Sequence, residues 1–209
     1  MTALERAWEG LNSKKKGGFP EGYPSNVRRL YSPVDRVHDA LTSCIGAAER
    51  SLASAMFGWD DQEINTLFHK AFEQKHLPVQ LSLDASQSGS PHEVPLIKAW
   101  GTEVGNSVSI GHSDKGAITH LKTFVIDGIL TIGGSTNVSH GGQFDQDNEI
   151  ILVWDSVFAA EARARLDIVH DSQLMQMQKR QNKLLIDYAA KKTHLSLEER
   201  HKLEAGILP

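Results

Sequence analysis

The sequence predicts an α/β fold in which helices pack on both faces of a central mixed β-sheet, an α/β/α sandwich, followed by a helical C-terminal extension. Short β-branched and apolar runs alternate with segments of helical period through the first half of the chain. An Asp-Gly pair then joins two apolar runs into an antiparallel hairpin. After residue 154 the sequence becomes polar and keeps a helical period, which is typical of an extension rather than of another strand.

The N-terminal segment predicts a short helix and a linker. Thr2 and Glu5 form a capping-box pattern at the start of a helix over residues 2–11. Residues 12–26 are rich in Lys, Gly and Pro, which favours an irregular connection. Residues 1–10 do not resemble a secretory signal, because they are charged and contain no apolar core.

Helices and strands alternate between residues 34 and 110. Apolar residues three or four positions apart mark the helix faces, and short apolar runs mark the strands. The predicted elements are, in order, a helix with an inner face of Val34, Val37, Leu41, Ile45 and Ala48, a strand over residues 51–57, a helix over residues 62–74 with Ile64, Leu67, Phe68 and Ala71 inward, a strand over residues 79–83 that ends at Asp84, a helix over residues 93–100 and a strand over residues 108–110.

The hairpin is predicted from two β-branched, apolar runs, residues 118–126 and 129–132, on either side of Asp127 and Gly128. Asp-Gly between such runs is the strongest short-range signal for a two-residue turn. That turn predicts three cross-strand pairs: Ile126 with Ile129, Lys122 with Gly133 and His120 with Ser135. Because side chains two positions apart share one face of a strand, four polar side chains are expected to converge: His120, Lys122, Ser135 and Asn137.

Residues 120–137 read HLKTFVIDGILTIGGSTN, which is His-x-Lys, four residues, Asp, six residues and then Gly-Ser-x-Asn. The pattern resembles the HKD signature of the phospholipase D superfamily, and the resemblance extends over residues 34–154. It implies the phospholipase D-like fold and the cleavage of a phosphodiester. It also implies that His120 attacks phosphorus and forms a phosphohistidine.

The resemblance implies roles for the residues around the histidine. The non-bridging oxygens of the phosphate would be held by Lys122 and Asn137, with help from Ser135. Family members carry a downstream glutamate that orients the histidine. Glu149, which enters the strand after the hairpin, is the best match, and Asp147 is the alternative.

Three more residues receive an interpretation. Asp127 belongs to the signature, but an Asp at the first position of an Asp-Gly turn favours a structural role. Gly134, next to Gly133, is expected to bind substrate, because only glycine lets a backbone approach a phosphate closely. Trp59 is assigned to the substrate site as an exposed aromatic residue near the cleft. A core or stacking position is an equally good interpretation of this tryptophan.

The single copy of the motif predicts a homodimer. An in-line displacement at phosphorus needs a nucleophile on one side and a proton donor on the other, and one His120 cannot occupy both positions. Because 209 residues leave no room for a second such domain, we expect both His120 side chains to meet at a two-fold axis, as in small single-motif relatives. Paired cysteines and a His-Glu-x-x-His pattern are absent from the sequence, so no metal or other cofactor is predicted.

Charge is distributed unevenly along the chain. Residues 1–36 and 179–209 together hold 14 of the 22 Lys and Arg and eight of the 26 Asp and Glu, so the middle of the chain carries a net charge of −10. An acidic body disfavours non-specific clamping of a duplex, which requires many cations on phosphates. The basic ends are the candidates for such contacts: Lys14, Lys15, Lys16, Arg28, Arg29, Lys179 and Arg180.

The single cysteine, Cys44, lies on the apolar stripe of a predicted helix, which favours a core thiol and excludes a disulfide within the chain. No apolar run reaches transmembrane length. These observations predict a cytoplasmic protein without stable membrane association.

We divide the chain into three parts: an N-terminal helix and linker (1–26), a phospholipase D-like catalytic domain (27–170) and a helical C-terminal extension (171–209). The helical pattern over residues 156–192 is long for one globular helix, which predicts that the helix is broken or projects beyond the body. A second capping box, at Ser196 and Glu199, predicts a final helix. The extension is interpreted as an arm that contacts the sheet, the dimer mate or another protein.

Three functions remain open at this point. We favour a metal-independent phosphodiesterase or endonuclease that cleaves nucleic acid, DNA before RNA, because the chain is small, has one motif and lacks a lipid-binding segment. The second is a phospholipid hydrolase, which should display an amphipathic surface rich in Trp, Phe and Leu. The third is a non-catalytic nucleic-acid-binding scaffold of the same fold, which the intact His, Lys, Ser and Asn disfavour.

Overall fold

The computed structural model of this protein describes residues 1–89, 93–98, 105–193 and 202. Within these residues one sheet contains the strands β1 (Val27–Ser32), β2 (Leu52–Met56), β3 (Val79–Asp84), β4 (Val108–Gly111), β5 (Lys122–Ile126), β6 (Leu130–Gly134) and β7 (Asn148–Trp154). The helices are α1 (Ala3–Gly10), α2 (Val37–Gly46), α3 (Gln62–Glu73), α4 (Glu93–Lys98) and α5 (Ser156–Thr193). A 3-10 turn, Leu11–Lys14, and a π-helical turn, Gly141–Asp145, complete the described elements.

The strands are arranged in the order β1-β7-β6-β5-β2-β3-β4. Strand β2 is parallel to β3 on one side and antiparallel to β5 on the other, so the two halves of the sheet meet at β2. The connections explain this mixture, because helices link the parallel strands and a tight turn links β5 to β6. The prediction of an α/β fold with a central mixed sheet is confirmed.

The sheet has an apolar core on each face. In β2, Leu52 and Met56 pack into the larger core, whereas Ala53 and Ala55 pack on the opposite side. The larger core lies against α1, α2 and α3, and the smaller one lies against α5, which contributes Leu166. The small alanine side chains allow α5 to lie close to the sheet.

The N-terminal segment packs against the body. The predicted capping box is present, since Thr2 Oγ1 accepts the Glu5 N–H at 3.1 Å and the Glu5 carboxylate accepts the Thr2 N–H at 2.7 Å. The buried ring of Trp8 lies 5.4 Å from the ring of Trp154 at the end of β7. Helix α1 is therefore joined to the core through an aromatic pair.

Strand β1 is an element that the sequence pattern did not predict. It pairs antiparallel with β7 at the edge of the sheet, where Leu30 and Ser32 are buried. Arg28 and Arg29 interrupt the apolar pattern that identifies a strand. In the structure the guanidinium of Arg28 lies 4.8 Å from the centre of the Trp8 ring, so its aliphatic stem covers apolar surface.

The other predicted elements correspond to α2, β2, α3, β3, α4 and β4, with two differences at their ends. Val34 precedes α2 and is 56% exposed rather than on its inner face. Trp100, the predicted end of α4, lies outside the described residues. Cys44 is fully buried on α2, and burial raises the pKa of its thiol to about 12, so it is an inert core residue.

Helix α5 is continuous over 38 residues, a length of about 57 Å. Its first half packs on the sheet, and residues 178–185 are all exposed. The final helix predicted from Ser196 and Glu199 lies outside the described residues.

The predicted hairpin is present, but its register is wrong by one residue. Ile126 pairs with Leu130 instead of Ile129, and Thr123, not Lys122, lies opposite Gly133. The loop between paired positions therefore contains three residues rather than two. A change of one residue matters because it moves a strand's side chains to the other face of the sheet.

Contacts outside the hairpin explain the longer loop. Asp127 and Gly128 both have left-handed backbone angles, with φ of 55° and 67°. The Asp127 carboxylate accepts the N–H groups of Glu49, Arg50 and Ser51 at 3.1 Å or less, just before β2. The Ile129 carbonyl accepts the Asp155 N–H at 2.9 Å, just before α5, and Ile129 lies outside the β5–β6 ladder. The contacts of Asp127 and Ile129 therefore both favour the three-residue loop.

We expect Asp127→Ala to lower the free energy of unfolding by about 3 kcal/mol, because three partly buried backbone N–H groups lose a charged acceptor. Denaturant unfolding measures the change. Asp114→Ala, in an exposed loop, is the matched control and should change stability by less than about 0.5 kcal/mol. A stability change in Asp127→Ala as small as the control's would contradict the structural role.

Candidate active site

His120 lies just before β5 rather than inside it, because β5 begins at Lys122. Its side chain is exposed, and its ring meets that of Phe57 edge-on with the ring centres 4.9 Å apart. The Phe57 N–H donates to the Leu121 carbonyl at 3.0 Å and anchors the backbone beside the histidine. An exposed imidazole on an anchored backbone is accessible to a substrate and restricted in position, as nucleophilic catalysis requires.

Lys122 is a buried cation without a carboxylate partner in the described part of the chain. Its Nζ donates to the His120 carbonyl oxygen at 3.2 Å and lies 5.1 Å from the centre of the Phe57 ring. Burial lowers the pKa of this ammonium below its ordinary value. Since buried charges are ordinarily paired, the site is suited to an anion that the chain itself does not supply.

Asn137 contacts Gly58, the residue after the Phe57 that lies against His120 and Lys122. Its Oδ1 accepts the Gly58 N–H at 3.3 Å. This contact orients the amide and leaves its NH2 group without a hydrogen-bond partner among the described residues. The adjacent Phe57 and Gly58 thus bring together an exposed imidazole, an unpaired ammonium and a free amide donor, from His120, Lys122 and Asn137.

Ser135 and Glu149 lie in a neighbouring cleft. Ser135 Oγ accepts the Glu149 N–H at 3.0 Å, and the Glu149 carboxylate forms an ion pair with Arg29 Nε at 3.5 Å. Within the residues that the structure describes, no hydrogen bond or ion pair joins Glu149 to His120. The cleft, of about 460 Å³, is also lined by Asp147, the alternative candidate for orienting the histidine.

The register of the hairpin explains this separation. Thr123 pairs with Gly133, and Gly133 pairs with Ile151 on β7. These residues share one face of the sheet with Glu149, two positions before Ile151, whereas Lys122 faces the other way. The expected convergence of four polar side chains therefore becomes a convergence of three.

Gly134 is required by the packing of the chain itself. A Cβ at this position would collide with the carbonyl oxygen of Glu149 on β7. The next residue, Ser135, donates its N–H to that same carbonyl at 3.0 Å. Close approach of β6 to β7 therefore accounts for the glycine, and the approach of a phosphate to it stays a prediction.

Trp59 is fully buried, so the expectation of an exposed aromatic residue at the cleft is wrong. Its Nε1 donates to Asn65 Oδ1 at 2.9 Å, and its ring lies 5.0 Å from that of Phe68. Both partners are on α3, which folds back over the end of β2. Trp59 therefore stabilises the core beneath Phe57 and Gly58.

Sequence reasoning missed the residues that support the segment before the histidine. Thr119 is buried and contacts Asp84 at the end of β3 and Gln173 on α5. Asp84 carried a usable signal, because an acidic residue that ends an apolar strand lies at the edge of the sheet. Gln173 carried none, because its partner lies 54 residues away in the sequence.

Comparison with known families supports the same interpretation. Residues 41–169, more than half of the chain, match the family described as cardiolipin synthase, PLD-like domain. The chain belongs to the phospholipase D superfamily. The matched region runs from α2 into α5 and includes His120, Lys122 and Asn137. Membership of this superfamily supports phosphodiesterase-type chemistry. A separate comparison with curated proteins found no match.

Several solved structures share the fold of this phospholipase D-like chain at low sequence identity. Nuc from Salmonella typhimurium, a phospholipase D family member, has a TM-score of 0.60 and 17% identity, over 70% of this chain and 94% of its own. NucT from Helicobacter pylori has a TM-score of 0.54 and 13% identity, over 71% and 95%. Phosphatidylserine synthase from Haemophilus influenzae has a TM-score of 0.54 and 11% identity, over 72% of this chain and 38% of that longer one. The predicted phospholipase D-like fold is confirmed.

Two other properties can be stated for the described part of this chain. No helix there combines the length and the apolar composition needed to cross a bilayer. No group of three or more His, Cys, Asp or Glu side chains there is arranged to hold a metal ion.

We expect Lys122→Met to abolish phosphodiester cleavage, because the cation that would hold the phosphate is lost. The same change should raise the free energy of unfolding by about 1 kcal/mol, because a charge without a carboxylate partner no longer has to be buried. Burial lowers the pKa of Lys122 from 10.5, so near that pH the unfolded chain binds more protons at this site than the folded chain. The gain in stability should therefore shrink as the pH rises toward 10.5. Denaturant unfolding at several pH values measures it.

Lys70→Met is the control for this prediction. Lys70 is an exposed lysine on α3, and its replacement should change activity little and stability by less than about 0.5 kcal/mol. A loss of stability in Lys122→Met would show that the contacts of the ammonium with the His120 carbonyl and the Phe57 ring outweigh the cost of burying its charge.

Proposed function

We propose that this protein is a metal-independent phosphodiesterase that cleaves nucleic acid through a phosphohistidine intermediate. The observation that supports this most directly is the buried, unpaired ammonium of Lys122 beside the exposed ring of His120. A cation held in a water-poor site stabilises negative charge that develops on phosphate oxygens. The neighbouring imidazole is then placed to attack the phosphorus that carries those oxygens.

The proposed reaction has two displacements at phosphorus. In the first, a nitrogen lone pair of neutral His120 forms the N–P bond while the bond from phosphorus to the leaving oxygen breaks. The ammonium of Lys122 and the free NH2 group of Asn137 stabilise the non-bridging oxygens. In the second, water attacks phosphorus and the N–P bond breaks. The leaving oxygen gains a proton in the first step, and the attacking water loses one in the second.

A second copy of the chain is proposed to supply the proton donor. In-line displacement puts the leaving oxygen on the side of phosphorus opposite His120. An isologous dimer places the His120 ring of the other copy on that side. The exposure of His120 supports this arrangement, because rings that meet across a two-fold axis must lie at the surface of each copy.

A second unpaired cation supports a nucleic-acid substrate. A cavity of about 120 Å³ is lined by His120, His112 and Arg165 of α5. The Arg165 side chain has no hydrogen-bond or ion-pair partner among the described residues, whereas nearby Arg163 is paired with Asp167 at 2.7 Å. A polynucleotide offers Arg165 a further phosphate next to the one under attack, and a phospholipid with a single phosphate does not.

The basic N-terminal residues are less available to a substrate than their number suggests. Lys15 forms an ion pair with Asp35 at 2.8 Å, and Lys14 lies 3.8 Å from Asp39. Arg36 also pairs with Asp39. These cations balance acidic groups of the fold, which shifts the proposed phosphate contacts toward α5.

Phospholipid hydrolysis is the second candidate. The matched family is described as cardiolipin synthase, PLD-like domain, and one structural neighbour is a phosphatidylserine synthase. The chemistry at His120 would be the same, and only the groups around the phosphate would differ. A non-catalytic scaffold is disfavoured, because it would have no use for an uncompensated buried ammonium.

We expect the wild-type protein to cleave single-stranded or duplex DNA in excess chelator and to lose this activity on His120→Ala, because no other group replaces the nucleophile. RNA and phospholipid vesicles belong in the same assay. Release of lipid headgroup without cleavage of either nucleic acid would replace the nuclease by the lipid hydrolase. Dependence on Mg²⁺, or activity that survives His120→Ala, would contradict the mechanism.

His69→Ala is the matched control for His120→Ala, since His69 lies on α3 and pairs with Glu73 at 3.6 Å. It should retain the activity of the wild type. Light scattering on the active fraction should show a dimer, and an active monomer would contradict the composite site.

We expect Arg165→Gln to weaken oligonucleotide cleavage about 10-fold in kcat/KM, because a cation that contacts phosphate is worth on the order of 1–2 kcal/mol. Hydrolysis of bis(p-nitrophenyl) phosphate, which has one phosphate, should hardly change. Arg163→Gln removes the same charge from the same helix and is the control. An equal effect of both substitutions, or an equal effect on both substrates, would contradict a direct contact. Arg165 would then act only through the long-range electrostatic field of the protein.

A further inference from the structure

We propose that Asp84 and Gln173 are positioning residues that hold the nucleophile His120 through its neighbour Thr119. The inference rests on the proposed function, in which His120 attacks phosphorus. Because His120 lies outside the β5 ladder, strand pairing alone does not set its position. Other contacts must restrict the segment that carries it.

Thr119 supplies these contacts, because both its N–H and its hydroxyl are bound by neighbouring elements. Its N–H donates to Asp84 Oδ2 at 2.5 Å, and its Oγ1 accepts from Gln173 Nε2 at 3.2 Å. Thr119 is 4% exposed, and Asp84 and Gln173 are fully buried. A side chain from β3 and one from α5 therefore hold the residue before the nucleophile, away from solvent.

A buried hydroxyl on β4 holds Gln173 in turn, and a buried histidine one turn earlier on α5 has partners of its own. Its Oε1 accepts from Ser109 Oγ at 2.9 Å. His170 Nε2 lies 2.6 Å from the Asn106 carbonyl oxygen, so that nitrogen donates and Nδ1 is left to accept from Ser82 Oγ at 3.0 Å. Burial lowers the pKa of His170, which agrees with a neutral ring in this position. Buried side chains whose hydrogen bonds are satisfied are held rigidly, because a rotation would leave a polar group unpaired.

The approach of α5 to β4 is adapted to these hydrogen bonds. Gly111, the last residue of β4, leaves space for Gln173, whose Cγ would lie 2.7 Å from a Cβ on the glycine. Any larger residue would push Gln173, and the helix with it, away from Thr119. The glycine therefore fits a helix that must reach the segment beside the nucleophile.

Gln176 is a control residue that attaches α5 to the sheet without contacting Thr119. It lies one helical turn after Gln173, its Oε1 accepts the His112 N–H at 2.9 Å, and its Nε2 donates to the His112 carbonyl at 3.0 Å. It thus attaches the same helix to the end of β4 with the same type of side chain. It has no hydrogen bond to Thr119 among the described residues.

The experiment compares Thr119→Val and Gln173→Leu with Gln176→Leu as the control. Bis(p-nitrophenyl) phosphate is the substrate, and unfolding free energies are measured on the same samples. In Thr119→Val and Gln173→Leu, kcat should fall on the order of 10- to 100-fold with KM unchanged, because a small displacement of a nucleophile lowers the rate of the chemical step. Thr119→Ser, which keeps the hydroxyl, should restore kcat. Gln176→Leu should lose stability but keep kcat within about twofold.

Amide hydrogen exchange gives a readout that does not require activity. Exchange at Thr119 and His120 should become faster in Gln173→Leu and stay at the wild-type rate in Gln176→Leu. Equal losses of kcat in Gln173→Leu and Gln176→Leu, or unchanged exchange in Gln173→Leu, would overturn the proposal. If the wild type shows no hydrolysis that depends on His120, the proposed function fails, and the exchange rates alone decide whether Gln173 holds this segment.

Discussion

The pairing of β5 with β6 is the constraint on which the rest of the site depends. Asp127 binds three backbone N–H groups before β2, and the carbonyl of Ile129 binds the N–H of Asp155 before α5. These contacts give the hairpin a three-residue loop and therefore one register. The register places Lys122 on one face of the sheet and Glu149 on the other. The motif's aspartate thus influences the site through strand pairing.

Lys122 differs from several cations of the fold that form ion pairs with carboxylates. Ion pairs with nearby carboxylates balance Lys15, through Asp35, and Arg29, through Glu149. Lys122 is more buried than Lys15 or Arg29 and has no such carboxylate within the described ranges. Burying a charge without a partner costs free energy, and that cost is recovered only when an anion binds. A buried lysine of this kind beside an exposed histidine is the basis for the proposed phosphate site.

Helix α5 connects the architecture to the site. It covers one face of the sheet through Leu166, contributes Arg165 to the cavity beside His120, and reaches Thr119 through Gln173. The same helix continues beyond the body as an exposed segment.

Residue order alone was enough for the family, the α/β class and most helices and strands, because those conclusions depend on local pattern and motif spacing. The roles of His120, Lys122 and Asn137 stay predictions of the same motif. It did not yield strand β1, whose arginines hide its pattern, or the burial of Trp59. Nor did it yield the ion pair that occupies Glu149, since its partner is 120 positions away in the sequence. Register, burial and partner choice depend on which distant segments meet, and only the folded chain brings those segments together.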